Sequence, residues 1–181
     1  MLMELWRRWW RPPERAAAAG ALYDAAVARA RAPVFYRTLA VPDTLDGRFE
    51  LIALHVALVL RRLKAVGAEG AALGQDLFDL MMDDMDRNLR EMGAGDLGVG
   101  PRVRRMASAL MGRVAAYDGA LAGGDLAAAL RRNVWGTLAE LDAALPARLA
   151  DYVQAAAAGL DGIAPDALLA GRVDFAAPPP D

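Results

Sequence analysis

The stretch RFELIALHVALVLRRLKAV, residues 48–66, decides the fold. Phe49, Ile52, Val56, Val59, Leu60 and Leu63 recur at intervals of three and four residues, the spacing of one helix face. Leu51, Leu54 and Leu58 cover a second side, so only Glu50, Arg61 and Lys64 leave a polar strip. A helix that is apolar over most of its circumference must be surrounded by others, and Gly67 supplies its C-terminal stop. The expectation is a central helix in an all-α protein.

Helical patterning continues on both sides of that stretch. Upstream, residues 14–31 carry the stripe Leu22, Tyr23, Ala26, Val27 and Ala30 and stop before Pro33, and residues 33–48, PVFYRTLAVPDTLDGR, form a short connection. Downstream, helices are expected over residues 71–92, 101–121, 126–134 and 137–158, with one short helix within 165–171. The glycine-rich GAGDLGVGP joins the first two of these, with Pro101 in the opening turn of the second. Pro146 predicts a kink or a boundary inside 137–158. Along 101–121, Val103, Met106, Leu110, Val114, Tyr117 and Leu121 point one way, while Ala109, Gly112 and Ala116 leave a small-residue side that another helix can approach. Sustained period-two alternation is missing, and β-branched residues are scarce. The expected architecture is a compact all-α bundle of about six to seven helices with an amphipathic N-terminal helix. Its organisation is an N-terminal segment 1–13, one helical domain over 14–171, and a proline-rich disordered tail over 172–181.

Composition removes most catalytic repertoires. With no cysteine, thiolate metal sites, iron–sulfur clusters, disulfides and cysteine nucleophiles are all unavailable, and a reducing compartment fits. His55 is the one histidine, too few for a paired-histidine metal site, and it lacks the partners of a Ser-His-Asp arrangement. A net charge of −2, from 21 basic and 23 acidic residues, gives the body of the protein no electrostatic reason to bind DNA. No run of about 18 apolar residues predicts a membrane-spanning helix, and arginines interrupt any secretory leader at the start, so a cytoplasmic location is expected.

The sharpest local signal is GQDLFDLMMDDMDRNLREMG, residues 74–93. On a helix, Asp76, Asp79, Asp83, Asp86, Arg87 and Arg90 share one sector, and Phe78, Met81, Met82, Met85, Leu89 and Met92 lie opposite. The pairs Asp83–Arg87, Asp86–Arg90 and Arg87–Glu91 are spaced to neutralise one another. That is the pattern of a charged surface that is structural or faces a partner. The alternatives are a generic membrane-associated helical scaffold and an Mg²⁺-dependent isoprenoid-diphosphate enzyme using Asp79, Asp83 and Asp86, but such enzyme chemistry wants a second acidic helix, and Asp142 and Asp151 stand isolated. A ferritin-like di-iron centre requires two histidines. GAGDLGVG lacks both the preceding strand and the Gly-Lys-Ser/Thr of a phosphate cradle.

At the N-terminus, MLMELWRRWWR sets Leu2, Leu5, Trp6 and Trp9 on one side and Arg7, Arg8 and Arg11 on the other, with Trp10 beside them. This is the composition of a short helix that settles on an anionic membrane surface, of a helix that packs its tryptophans on the domain, or of a ribosomal RNA contact. Methionines 81, 82, 85, 92, 106 and 111 suit either core filling or adaptable contact with an apolar client, core filling being the commoner use. His55, set among Leu51, Leu58, Val59 and Arg62, reads as a core or interface histidine bonded to a nearby carbonyl.

In order along the chain, FYRTLAVPDTLDGRFELIALHVALVLRRL (35–63), the 74–100 segment with DDMDRNLREMG and GDL, and RRMASALMGRVAAYDGAL (104–121) resemble the ubiquinol-cytochrome c chaperone family. The resemblance spans about residues 23–121, and residues 1–20 and those beyond about 130 stand outside it. It implies a helical, non-enzymatic assembly chaperone without a cofactor, which holds newly made cytochrome b until the cytochrome bc complex is built. A ribosome contact and a small accessory protein are implied as further partners, and the corresponding place is the inner face of the cytoplasmic membrane, held peripherally. Within the matching motifs, Asp43, Arg48, His55, Asp79, Asp83, Asp86, Arg87 and Arg90 are the candidate partner-binding residues.

Overall fold

The computed structural model describes residues 12–91 and 96–178. Among them every regular element is helical: α1 (Pro13–Ala30), α2 (Pro33–Arg37), α3 (Leu45–Val66), α4 (Ala68–Glu91), α5 (Asp96–Leu121), α6 (Leu126–Val134), α7 (Ala144–Asp161) and α8 (Pro165–Leu169). The all-α class expected from the periodicity is therefore the fold. The described helices number eight because the 33–48 connection folds its first part into α2, whose Phe35 is fully buried. The amphipathic helix expected over residues 2–11 lies outside the described residues.

Helix α3 is the axis of the bundle. Thr44 caps it, its hydroxyl accepting the Gly47 N–H at 3.2 Å, and Asp46 complements the dipole in the first turn. Gly67, at φ 97°, takes the left-handed conformation that stops it, as expected. Thirteen of its 22 residues are buried, and α1, α4, α5, α6 and α7 all pack on it. Leu51, Leu54, Leu58 and Leu63 lose essentially all contact with solvent, each contributing roughly 1.5–3 kcal/mol of transfer free energy. Helix α1 lies across α3 and α4, and its buried Ala18, Ala19, Ala26 and Ala30 let the backbones approach closely around Leu22.

Two expected boundaries move, each for a physical reason. Helix α5 starts at Asp96 and carries Pro101 inside, so part of the glycine-rich connection is helical. Pro101 forgoes one rung of the hydrogen-bond ladder near an end whose first N–H groups have no partners in any case. Helix α7 starts at Ala144 rather than 137, because Pro146 cannot accept a preceding turn and Asp142 accepts the Ala144 N–H at 2.9 Å. Leu138, 36% exposed, therefore lies outside the helix expected over 137–158. The small-residue side of α5 also stays unpartnered at its centre, where a Cβ placed on Gly112 meets nothing.

The chain after α8 is anchored rather than free. Phe175 is 5% exposed, its ring meets His55 edge-on at 5.1 Å, and Arg29 donates to its carbonyl at 3.1 Å. The disordered tail expected over 172–181 is thus corrected for residues 172–178, where one aromatic side chain holds the chain against the core.

Candidate partner-binding site

The segment VPDTLDGRFE, residues 41–50, builds a surface that combines apolar and charged side chains. Val41 is buried and its N–H donates to the Phe35 carbonyl at 3.0 Å, which turns the chain into α3. Ala40 holds φ at 52°, a left-handed conformation costly for alanine. The carbonyls of Leu39 and Ala40 both accept the indole N–H of buried Trp135, at 3.1 and 3.2 Å, tying the end of α6 to the start of α3. Gly47 is required by contact: a Cβ there would stand 2.0 Å from the Pro42 carbonyl oxygen.

Two clefts open on either side of this segment, sharing Leu45 and Phe49. Leu45 is 49% exposed at their common rim. The larger cleft, about 630 Å³, lies between the start of α3, the α5 face and the end of α6; Phe49, Leu89, Met106 and Val134 contribute its apolar lining. Four arginines, Arg102, Arg105, Arg113 and Arg132, face two carboxylates there, Asp46 and Glu50. Arg113 is held by a bidentate pair with buried Glu50, donates to the Ala109 carbonyl at 3.0 Å, and lies over the Phe49 ring at 5.6 Å. Burial pushes the Glu50 carboxyl above the usual range, with Arg113 opposing. For Arg113, burial acts to lower the pKa, and the hydrogen bonds and charge of Glu50 outweigh it.

The smaller cleft, about 570 Å³, runs between α2, α3 and α4. Here the structure brings Asp43 and Arg48 together in an exposed pair at 2.7 Å, and Arg48 holds the Asp43 carboxyl below its ordinary pKa. Across the cleft, Asp84 accepts from the Tyr23 hydroxyl at 2.8 Å and from the Asn88 amide at 3.1 Å. Burial, then that hydrogen bond, raises the Tyr23 pKa.

The outer side of α4 divides differently from expectation. Asp86 and Arg90 pair at 2.6 Å and Gln75 donates to Asp79 at 2.8 Å, whereas Asp83 and Arg87 are exposed and form no ion pair among the described residues. Asp76, placed on the charged sector by its spacing, is instead buried and paired with Arg15 of α1. The methionines split as well. Met81, Met82 and Met85 are core, Met106 is half-buried in the larger cleft, Met111 is 55% exposed, and Met92 lies outside the described residues.

His55 is a core residue and does not reach the surface, which corrects its place among the partner-contacting candidates. Its Nδ1 lies 2.7 Å from the Leu51 carbonyl, which can only accept, so Nδ1 carries the proton and Nε2 accepts from the Tyr152 hydroxyl at 2.8 Å. The rings of Phe35, Tyr152 and Phe175 enclose it. Burial drives its pKa down to about 4, so the ring is neutral at physiological pH. Leu2, Leu5, Trp6, Arg7, Arg8, Trp9, Trp10 and Arg11 lie outside the described residues. No described helix is long and apolar enough to cross a membrane.

Spacing arguments missed Glu50, Arg113, Arg102, Arg105 and Arg132 as one site. Glu50 sat in the polar strip of α3, and its contact with Arg113 spans 63 residues of chain, beyond any local pattern. Trp135, isolated in sequence, was the available signal, since a buried indole needs a nearby acceptor.

The arrangement is that of an all-helical protein whose polar groups are organised around apolar clefts at one end of a central helix. A model of the family described as ubiquinol-cytochrome C chaperone matches residues 37–175. The chain belongs to that family, and the match extends well past residue 121, where the sequence resemblance ended, and covers residues beyond 130 that stood outside it. It is 29% identical over 155 residues to ubiquinol-cytochrome-c reductase complex assembly factor 1 of Xenopus laevis, covering 84% of this chain and 77% of that protein. It is 28% identical over 155 residues to the Mus musculus protein of the same description; the matched region is again 84% of this chain but 52% of the mouse protein, about half its length. The crystal structure of the Cbp3 homolog from Brucella abortus superposes with a TM-score of 0.81 at 37% identity, covering 98% of this chain and 97% of that one.

Proposed function

We propose that the protein is a non-enzymatic assembly factor of ubiquinol-cytochrome c reductase, which binds newly made cytochrome b and holds it until the complex is built. The observation that carries this is the family match over residues 37–175, joined by the 37% identical Brucella abortus structure along nearly the whole chain. The names of the two vertebrate relatives supply the complex, and the family resemblance supplies cytochrome b as client. The chemistry of the site supports binding over catalysis. The single histidine is neutral and sealed in the core, and the acidic residues of α4 are spread between core and surface rather than gathered toward one point.

The proposed place of action is the inner face of the cytoplasmic membrane, with residues 1–11 as a peripheral contact and a ribosome or a small accessory protein as further partners. Flotation on anionic liposomes before and after removal of residues 1–11 tests that contact, and equal flotation of both forms would remove it. Deleting the gene should selectively lower assembled ubiquinol-cytochrome c reductase. A deletion strain with normal cytochrome b absorbance and normal quinol oxidation would overturn the assembly role.

A further inference from the structure

We infer that the larger cleft is a docking site for an acidic polypeptide segment that carries an apolar anchor side chain. The inference deepens the assembly reading and rests on it for the occupant's role, while the binding chemistry stands on the cleft alone.

Charge complementarity carries the argument. Arg102 and Arg105 stand one turn apart on α5, and Arg132 faces them from α6. All three are exposed, and none has a carboxylate within ion-pair distance among the described residues. The one buried carboxylate in the cleft, Glu50, is already engaged by Arg113, so the other three arginines face only Asp46 and the lining keeps a surplus of positive charge. A chain with a net charge of −2 thus concentrates surplus positive charge at one opening among the described residues. Guanidinium groups of this kind take carboxylates bidentately and are among the commonest anchors of protein interfaces.

Beneath the arginines the lining is apolar, with Phe49, Met106 and Val134, and Leu45 extends it onto the rim. A methionine in that lining adapts to more than one anchor side chain. Glu50 and Arg113 fix the wall by clamping α3 to α5, so the cleft is formed before anything binds. A polyanion such as nucleic acid, or an anionic lipid surface, fits less well. Asp46 sits in the same opening, and Glu50 lies in its wall, so continuous negative charge is repelled where discrete carboxylates are not.

The test is fluorescence anisotropy on the full chain, using a fluorescein-labelled peptide that alternates aspartate with leucine and phenylalanine, and its lysine-for-aspartate counterpart. The acidic peptide should bind with micromolar affinity that falls with salt, and the lysine peptide should not. In the combined variant Arg102→Glu, Arg105→Glu, Arg132→Glu, affinity for the acidic peptide should fall at least about tenfold while the lysine peptide gains binding. The three side chains are exposed, so an unchanged thermal midpoint verifies that the variant is folded. Equal binding by wild type and variant overturns the inference, as does displacement of the peptide by phosphatidylglycerol vesicles, which would make the occupant a lipid surface. Failure of the assembly reading shows separately, as normal complex levels in the deletion strain, and leaves the peptide result standing.

Discussion

Two of the polar side chains that helix α3 buries, Glu50 and His55, stand only five residues apart, and they have opposite surroundings. His55 satisfies both ring nitrogens inside a cage of three aromatic rings, with Arg29 the one charge among the described residues that acts on it. Glu50 is buried too, but its partner Arg113 forms the wall of an open cleft rimmed by further arginines. A polar group closed on itself holds the bundle together, whereas one that braces surplus charge at an opening prepares a surface. The same helix thus supplies the architecture at its middle and the recognition site at its N-terminal end.

The strongest attempt to break the closed region is Phe35→Ala, which leaves a cavity against both His55 and Tyr152. It should cost about 3–5 kcal/mol in chemical denaturation. For the open region the comparable change is Arg113→Ala. It strands the buried Glu50 carboxylate and should cost about 3 kcal/mol near neutral pH. Because the Glu50 pKa is already raised by burial, protonation relieves the stranded charge, so the Arg113→Ala penalty should shrink as pH falls toward the ordinary carboxylate value. A penalty independent of pH would show that Glu50 is not the buried charge described.

The His55 ring sharpens the contrast through its own pH dependence. Its folded pKa of about 4 lies below the ordinary value of 6.5, so the unfolded chain binds the proton first. The stabilisation is fully present above pH 6.5 and is lost as pH falls from there toward 4, by about 3 kcal/mol in all. Denaturant melts across that window should show the loss in wild type, and His55→Gln should remove it.

Two smaller effects follow. Ala40→Gly relieves a left-handed alanine and should stabilise by about 1 kcal/mol without disturbing the carbonyls that hold Trp135. Asp86→Ala, which breaks an exposed pair on α4, should change stability by no more than about 0.5 kcal/mol in the same melts. A larger loss there would make that face part of the architecture rather than a surface.

What the sequence made legible follows the range of the interactions. The all-α class, the central place of α3 and the stop at Gly67 rest on periodicity and single-residue chemistry, and the structure carries them all. Asp76 shows where that logic fails: helical spacing put it with Asp79 and Asp83, but Arg15, 61 residues away, draws it into the α1–α4 contact. Phe175 is similar, since a proline-rich end reads as tail until its one aromatic ring finds the pocket beside His55. The cleft arginines were invisible for the same reason, because α5 and α6 bring them together only after both have packed on α3.

The central claim is that this chain holds cytochrome b through the cleft at the start of α3. It is tested most directly by affinity capture from detergent-solubilised membranes, comparing wild type with the Arg102→Glu, Arg105→Glu, Arg132→Glu variant and quantifying cytochrome b in each eluate. The account predicts cytochrome b enriched on wild type and reduced to background on the variant. Equal recovery on both, or none on wild type, would contradict it.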